Sequence, residues 1–139
     1  MIVIIPCGAR KLKNKTFAKD LYIGPYFKMN LKWAKSVTHD DCIFILSAKH
    51  GLLNLYSKIE PYDLFMGSPG SVSSETINKQ AIDLKILDQN IFALGGSNYI
   101  SALKKAGIKV CAPVRGPMGV QMGILKKNIG KKPKWVEVI

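Results

Sequence analysis

The chain is short of acidic residues: 9 Asp and Glu stand against 21 Lys and Arg, a formal net charge of +12 over 139 residues. That imbalance raises the local concentration of anions around the whole surface and points to nucleic acid as partner. A Lys-rich surface that merely keeps the protein soluble is the other reading. No apolar run approaches the ~18 residues that a membrane span requires, so no membrane partner is expected. Cysteine is sparse: Cys7, Cys42 and Cys111 are odd in number, with no CxxC and no Cys/His pair at zinc spacing. Free thiols in a reducing, cytoplasmic setting are therefore expected, with no disulfide, metal or cofactor. Met1 opens directly into Ile2-Val3-Ile4-Ile5 without a basic n-region, so no signal peptide is expected. Walker A and GxGxxG fingerprints are both missing, and no internal repeat or linker is evident.

A chain of 139 residues fits one domain, able to bury roughly two-thirds of its unfolded surface without staples. Ile2 to Pro6 is a continuous β-branched run, the pattern of a central strand covered on both faces. Residues 25–37 carry apolar side chains at helical spacing, with Pro25 suited to the first turn. Further strands are expected at 42–47, 91–94 and 108–114, and an edge strand at 135–139. Further helices are expected from a Ser73 or Ser74 cap to about Leu87, from a Ser97 cap to Ala106 with Gly107 at C′, and over 121–128. The alternation predicts a single three-layer α/β domain, with a mostly parallel sheet of about four to five strands flanked by helices.

In such sheets ligands bind outside the carboxyl ends of the strands, which selects four loops: 7–11, 47–63, 95–98 and 115–121. In the first, Gly8 lets backbone amides approach an anion, and Arg10 and Lys11 supply cationic donors. Cys7 there is either a small residue packed at a strand end or a reactive thiolate. Asp20 is a carboxylate near this basic loop. In the second, Ser47 and Lys49 would share a face if the strand persists. His50 is either a general acid or base near neutral pH, or a hydrogen-bonding support for the loop that holds Glu60. Glu60-Pro61-Tyr62-Asp63 sets two carboxylates and a phenol in a rigid turn, because Pro61 fixes its own φ and restricts Glu60. In an apolar, Tyr-lined cleft either carboxylate can activate water or stabilise positive charge on a sugar; alternatively each caps backbone amides. Gly95-Gly96-Ser97 is either an anion site at a helix N-terminus or a tight capped turn. The basic residues of 10–19 and of 126–134 crowd opposite ends of the chain, and one shared basic face is expected.

At these residues the chain resembles the YaaA-type superfamily, especially its small phage and bacterial domains of uncharacterised function. The likeness rests on Cys7 through Leu12, on Ala18 to Tyr22 with Phe27, on Leu46 to Leu53 with Ile59 to Asp63, and on residues 113–121, which include Gly116 and Gln121. It implies association with nucleic acid and, less directly, chemistry at a nucleobase or its N-glycosidic bond. The extra helical DNA-binding insertions of longer members are missing here, so the basic loops would have to bind.

The combined expectation is a base-processing enzyme that cleaves or exchanges an N-glycosidic bond of a nucleotide that has left the stack. Arg10, Lys11 and the amides of Gly95, Gly96 and Ser97 would hold phosphate, and Tyr62 or Tyr26 would stack on the base. Glu60 or Asp63 would direct water, and His50 or Lys49 would assist the departing base. Cys7, Gly8, Asp20, Tyr22, Ser47, Gly116 and Gln121 complete the candidate binding set. DNA is expected in preference to RNA. A non-catalytic nucleic-acid-binding or phage accessory protein is the rival, and a small-nucleotide hydrolase a third reading.

Overall fold

Apolar β-branched residues without a polar break leave Ile2 to Pro6 nowhere to go but the centre of a sheet, and all five are buried there. The computed structural model describes residues 1–133. In chain order its elements are β1 (Ile2–Pro6), β2 (Thr16–Phe17), α1 (Ala18–Leu21), α2 (Pro25–Val37), β3 (Ile43–Ser47), β4 (Gly51–Asn54), β5 (Lys58–Ile59), α3 (Ser74–Asp83), β6 (Ile91–Ala93), α4 (Ser97–Lys105) and α5 (Met118–Lys127). The main sheet has the order β4-β3-β1-β6. β1 runs parallel to both β3 and β6, and β4 returns antiparallel to β3. β2 and β5 form a separate two-stranded antiparallel ladder.

The α/β class and the mostly parallel sheet thus match expectation. The route from β1 to β3 runs through α2, and the route from β3 to β6 runs through α3 in the opposite direction across the sheet. With both crossovers right-handed, these helices fall on opposite faces. In agreement, α2 packs on β1 and α5, while α3 packs on β4 and α4. Trp33 of α2 is fully buried against Phe92 of β6, ring centroids 5.1 Å apart. Its indole Nε1 donates to the Asn128 carbonyl at 3.0 Å and ties α2 to the end of α5.

Several boundaries differ from the sequence reading, each for a local reason. The apolar run after Gly51 is a strand, so residues 47–54 form a hairpin rather than the start of one long loop. α3 stops at Asp83, because Lys85 adopts a left-handed φ of 59°. Gly96 takes the N-cap of α4, which leaves Ser97 as its first residue. Gly107, at φ 79°, does close that helix, with the Ile108 N–H reaching back to the Leu103 carbonyl. The expected strand at 108–114 shrinks to one parallel bridge, Cys111 with Phe92, because this outer edge has no further neighbour among the described residues. α5 begins at Met118, three residues before the expected start. The expected strand at 135–139 and Lys134 lie outside the described residues.

Lys132 of the late basic segment does not share a face with the early one. Arg10 and Lys11 follow the carboxyl end of β1, whereas Lys132 lines hollows with Met1 at the amino edge. α5 spans the distance between the two edges.

Gly51 holds the hairpin. Its φ of +73° is left-handed, and a Cβ there would lie 2.1 Å from the Gln80 side-chain oxygen. Gln80 of α3 donates to the His50 carbonyl and accepts from the Leu52 N–H, both at 2.8 Å, and so clamps the chain on either side of the glycine. Gly51→Ala should lose ~2–4 kcal/mol in urea unfolding, the sum of a left-handed alanine and two broken clamp bonds. The Gly51→Ala/Gln80→Ala pair should cost less than the sum of the single changes, because the second removes the clash. Additive losses would contradict the clamp.

Candidate functional site

β1 sends its chain to α2 on one face, and its neighbour β6 sends its chain to α4 on the other. The crevice between their carboxyl ends is therefore the topological switch point of the sheet, where ligands of open α/β folds bind. Cys7 and Gly8 leave β1 there, and Gly95, Gly96 and Ser97 leave β6. Gly95 is at φ +132°, and a Cβ on it would lie 3.1 Å from the Tyr99 Cβ and 3.2 Å from that of Pro6. Only glycine lets the first turn of α4 come this close to β1. The consequence is that Tyr99 lies over Cys7, its hydroxyl 3.2 Å from Sγ and donating to the Cys7 carbonyl at 3.3 Å.

On the β3 side a second set of hydroxyls meets. The Ser47 Oγ accepts the N–H groups of Lys49 and His50, at 3.2 and 3.0 Å. With both lone pairs engaged, the serine proton goes to the Tyr62 hydroxyl at 2.7 Å, and Tyr62 in turn donates to Tyr22 at 2.6 Å. A directed relay, Ser47 to Tyr62 to Tyr22, results. The Lys11 Nζ stands 4.5 Å from the Tyr62 ring centre and 5.8 Å from that of Tyr22, within cation–π range. His50 meets Tyr62 edge to face at 5.5 Å. Burial, then Cys7 and the donated bond to Tyr22, push the Tyr62 phenol far up; burial likewise raises Tyr22 and Tyr99. All three stay protonated at neutral pH, with Tyr62 donating to Tyr22 and Tyr99 to the Cys7 carbonyl.

The remaining loop closes the other side. Tyr26 of α2 donates to Gln121 at 2.6 Å, and Gln121, buried to 3% exposure, donates to the Gly116 carbonyl at 2.8 Å. Asn30, one turn beyond Tyr26, is fully buried and approaches its hydroxyl, yet neither amide atom reaches hydrogen-bond geometry. Between α4 and this loop lies a cleft of about 590 Å³, lined by Gly95, Gly96, Ser97, Ser101, Lys104, Lys105, Arg115, Gly116 and Gln121. Its volume suits a small-molecule ligand. At its rim the first amides of α4 lack intrahelical partners and favour an anion. A larger hollow of about 920 Å³ lies at the amino edge, beside Met1, Ile91 and Cys111, and away from all four loops.

The fold therefore brings together Cys7, Gly8, Lys11, Tyr22, Ser47, His50 and Tyr62 on one side, and Gly95, Gly96, Ser97, Tyr26, Gly116 and Gln121 on the other. Tyr99 bridges them. Arg10 and Lys49 are exposed nearby. Ser47 and Lys49 do not share a strand face, because the strand ends at Ser47 and its hydroxyl caps the turn. Glu60 and Asp63 are both exposed rather than enclosed among tyrosines. Pro61 stiffens their turn, but it is Tyr62 that points inward. Asp20 lies on α1, exposed and paired with Lys19 at 3.1 Å. Sequence reasoning missed Tyr99, Lys104, Lys105 and Gln80; the one available signal was a tyrosine in the first turn after Gly95-Gly96. Among the described residues no group of three His, Cys, Asp or Glu is placed to hold a metal ion, and no helix is long and apolar enough to cross a membrane.

Tyr62→Phe keeps the ring but removes both relay bonds and should cost ~1–2 kcal/mol in chemical denaturation. Tyr22→Phe made in that background should add little, since its acceptor role is already lost; full additivity would refute a shared relay. The His50 pKa is lowered from 6.5, first by burial and next by Lys49. Below pH 6.5 the unfolded chain then binds more protons than the folded one, so stability falls as pH drops through that window. His50→Gln should flatten this acid slope between pH 6.5 and the lowered value, and an unchanged slope would remove His50 from the titration.

No curated protein matches the chain. A family model does match it, over residues 2–137, and that span takes in β1, the hairpin, the relay and the cleft alike. The chain thus belongs to the family of unknown function DUF6884.

Proposed function

We propose that the protein binds a nucleotide unit of nucleic acid, DNA in preference to RNA, at the carboxyl edge of the sheet and acts on the N-glycosidic bond of its base. The observation that carries this reading is the pairing, on either side of the end of β1, of Tyr62 under Lys11 with a basic cleft that runs along α4 from its first turn to Lys104 and Lys105. The half-buried Tyr62 ring suits a base, the amides at the start of α4 suit a phosphate, and Lys104, Lys105 and Arg115 add positive charge farther along the same cleft. The net charge of +12 would draw polyanions to both. The likeness of residues 7–12, 46–53 and 59–63 to the YaaA-type superfamily supports the same direction.

In this reading the bond between base nitrogen and anomeric carbon breaks while water adds its oxygen to that carbon. Asp63 or Glu60, at the open rim, takes the proton of the water and stabilises positive charge on the sugar. The base leaves with a proton on its nitrogen. His50 is neutral near pH 7 because its pKa is lowered, so it suits hydrogen bonding to the base rather than proton donation. The Lys49 ammonium is the available donor, since Tyr62, Tyr99 and Tyr26 already give their protons to Tyr22, the Cys7 carbonyl and Gln121.

A second reading is favoured by the relay itself. Ser47, Tyr62 and the turn amides lock β3 to the following loop, and Glu60 and Asp63 are exposed. That is what a non-catalytic nucleic-acid binder would need. Asp63→Asn separates the two: under the enzyme reading base release from oligonucleotides falls by ~100-fold or more with binding retained. Turnover equal to wild type would exclude Asp63 as the acting carboxylate, and no release by either protein would favour the binder. Arg10→Ala and Lys11→Ala should each weaken binding and shallow the slope of log affinity against log salt by ~1.

A further inference from the structure

Beside this site, and no part of it, lies an exposed aromatic pair. Phe17 of β2 and Tyr56, just before β5, are 36% and 53% exposed. They meet edge to face with ring centroids 5.9 Å apart. Lysines are held over both rings: the Lys58 Nζ is 5.6 Å from the Phe17 centre, and the Lys19 Nζ is 6.0 Å from Phe17 and 5.5 Å from Tyr56. Two carboxylates edge the patch. Asp20 pairs with Lys19 at 3.1 Å, and Asp40 accepts from the Tyr56 hydroxyl at 2.8 Å while pairing with Lys35 at 3.4 Å. Each of these two carboxylates is thus matched by a lysine, and Lys58 with the exposed Lys13 and Lys15 of the preceding loop outnumbers the exposed Asp41 and Glu60 nearby in sequence.

We infer that this patch is a stacking surface for single-stranded nucleic acid, and that it holds nucleotides flanking the one in the cleft. Exposed rings interleaved with lysines match the two needs of a single strand, π-faces for unstacked bases and cations for the backbone. A duplex offers no free base face to such rings, and an acidic peptide would use the lysines but not the rings. The placement also fits. β5 leads within four residues from Lys58 to Tyr62, at most ~14 Å of chain, and the segment that enters β2 carries Lys11 over the Tyr62 ring. One continuous ribbon therefore joins the patch to Tyr62. The inference rests on the nucleic-acid reading of the cleft and adds the strand state of the substrate.

The test is fluorescence anisotropy with a short labelled oligothymidylate, the matching duplex and thymidine monophosphate as probes. Phe17→Ala/Tyr56→Ala should weaken oligothymidylate binding by at least about tenfold and leave monophosphate and duplex affinity unchanged. Tyr56→Phe, which keeps the ring and drops only the Asp40 bond, should bind as wild type, and so should Tyr56→Trp. Circular dichroism checks that the alanine variants fold; should they not, Phe17→Leu/Tyr56→Leu gives the same comparison. Equal oligothymidylate affinity in wild type and ring variants overturns the inference. So does polyglutamate competing as well as oligothymidylate with neither affected by ring removal, which would mark an acidic protein partner. Loss of monophosphate binding in Lys104→Ala/Arg115→Ala reports on the cleft alone, so failure of the cleft reading and failure of the patch are read separately.

Discussion

β1 is paired in parallel on both sides and buried along its whole length, and this strand constrains nearly everything else. A strand so placed has no free edge and no polar side chain to offer. Pro6 then ends the run without an N–H, and the chain must emerge at the carboxyl edge, where Cys7 donates its N–H to the Leu46 carbonyl. Because the connections on its two sides run to opposite faces, the loops after β1 and β6 part there and leave a crevice. Polar chemistry gathers in that crevice because the rest of the sheet is apolar.

What fills the crevice is hydroxyl and sulfur rather than carboxylate. Ser47, Tyr62 and Tyr22 form one directed chain, Tyr99 donates to Cys7, and Tyr26 donates to Gln121. Burial holds the phenols protonated, and Tyr62 and Tyr99 give their protons to Tyr22 and the Cys7 carbonyl, so the geometry of the network is set internally. The relay also serves the fold, since it pins the turn after β3 through the same oxygen that it polarises. A single residue change in it therefore moves the stability of this turn.

Much of the scaffold was legible in the chain. The β-branched run at β1, the helical spacing with Pro25 at the start of α2, and the Ser73 cap of α3 all reflect local physics. β4 was not legible, because Gly51 is turned by Gln80 from a helix thirty residues away. The stretch 108–114 has a strand's composition but only one neighbour at the edge of the sheet, and composition does not report neighbours. The crevice followed from the alternation of strands and helices. Which side chain of residues 60–63 turns inward did not, since that is decided by Ser47 and Tyr22 across the sheet edge. Tyr99 depended on how closely Gly95 lets α4 approach β1, a packing distance that the sequence marks only by a tyrosine one turn after Gly95-Gly96.

The central claim is that the crevice at the end of β1 and β6 seats a nucleotide. Its most direct measurement is a crystal structure of the protein soaked with a mononucleotide. Phosphate on the amides of Gly96 and Ser97 with the base against Tyr62 or Tyr26, and the sugar facing Asp63 or Glu60, is the predicted result. A nucleotide bound only at the amino edge beside Met1 and Cys111, with the crevice holding water alone, would contradict it.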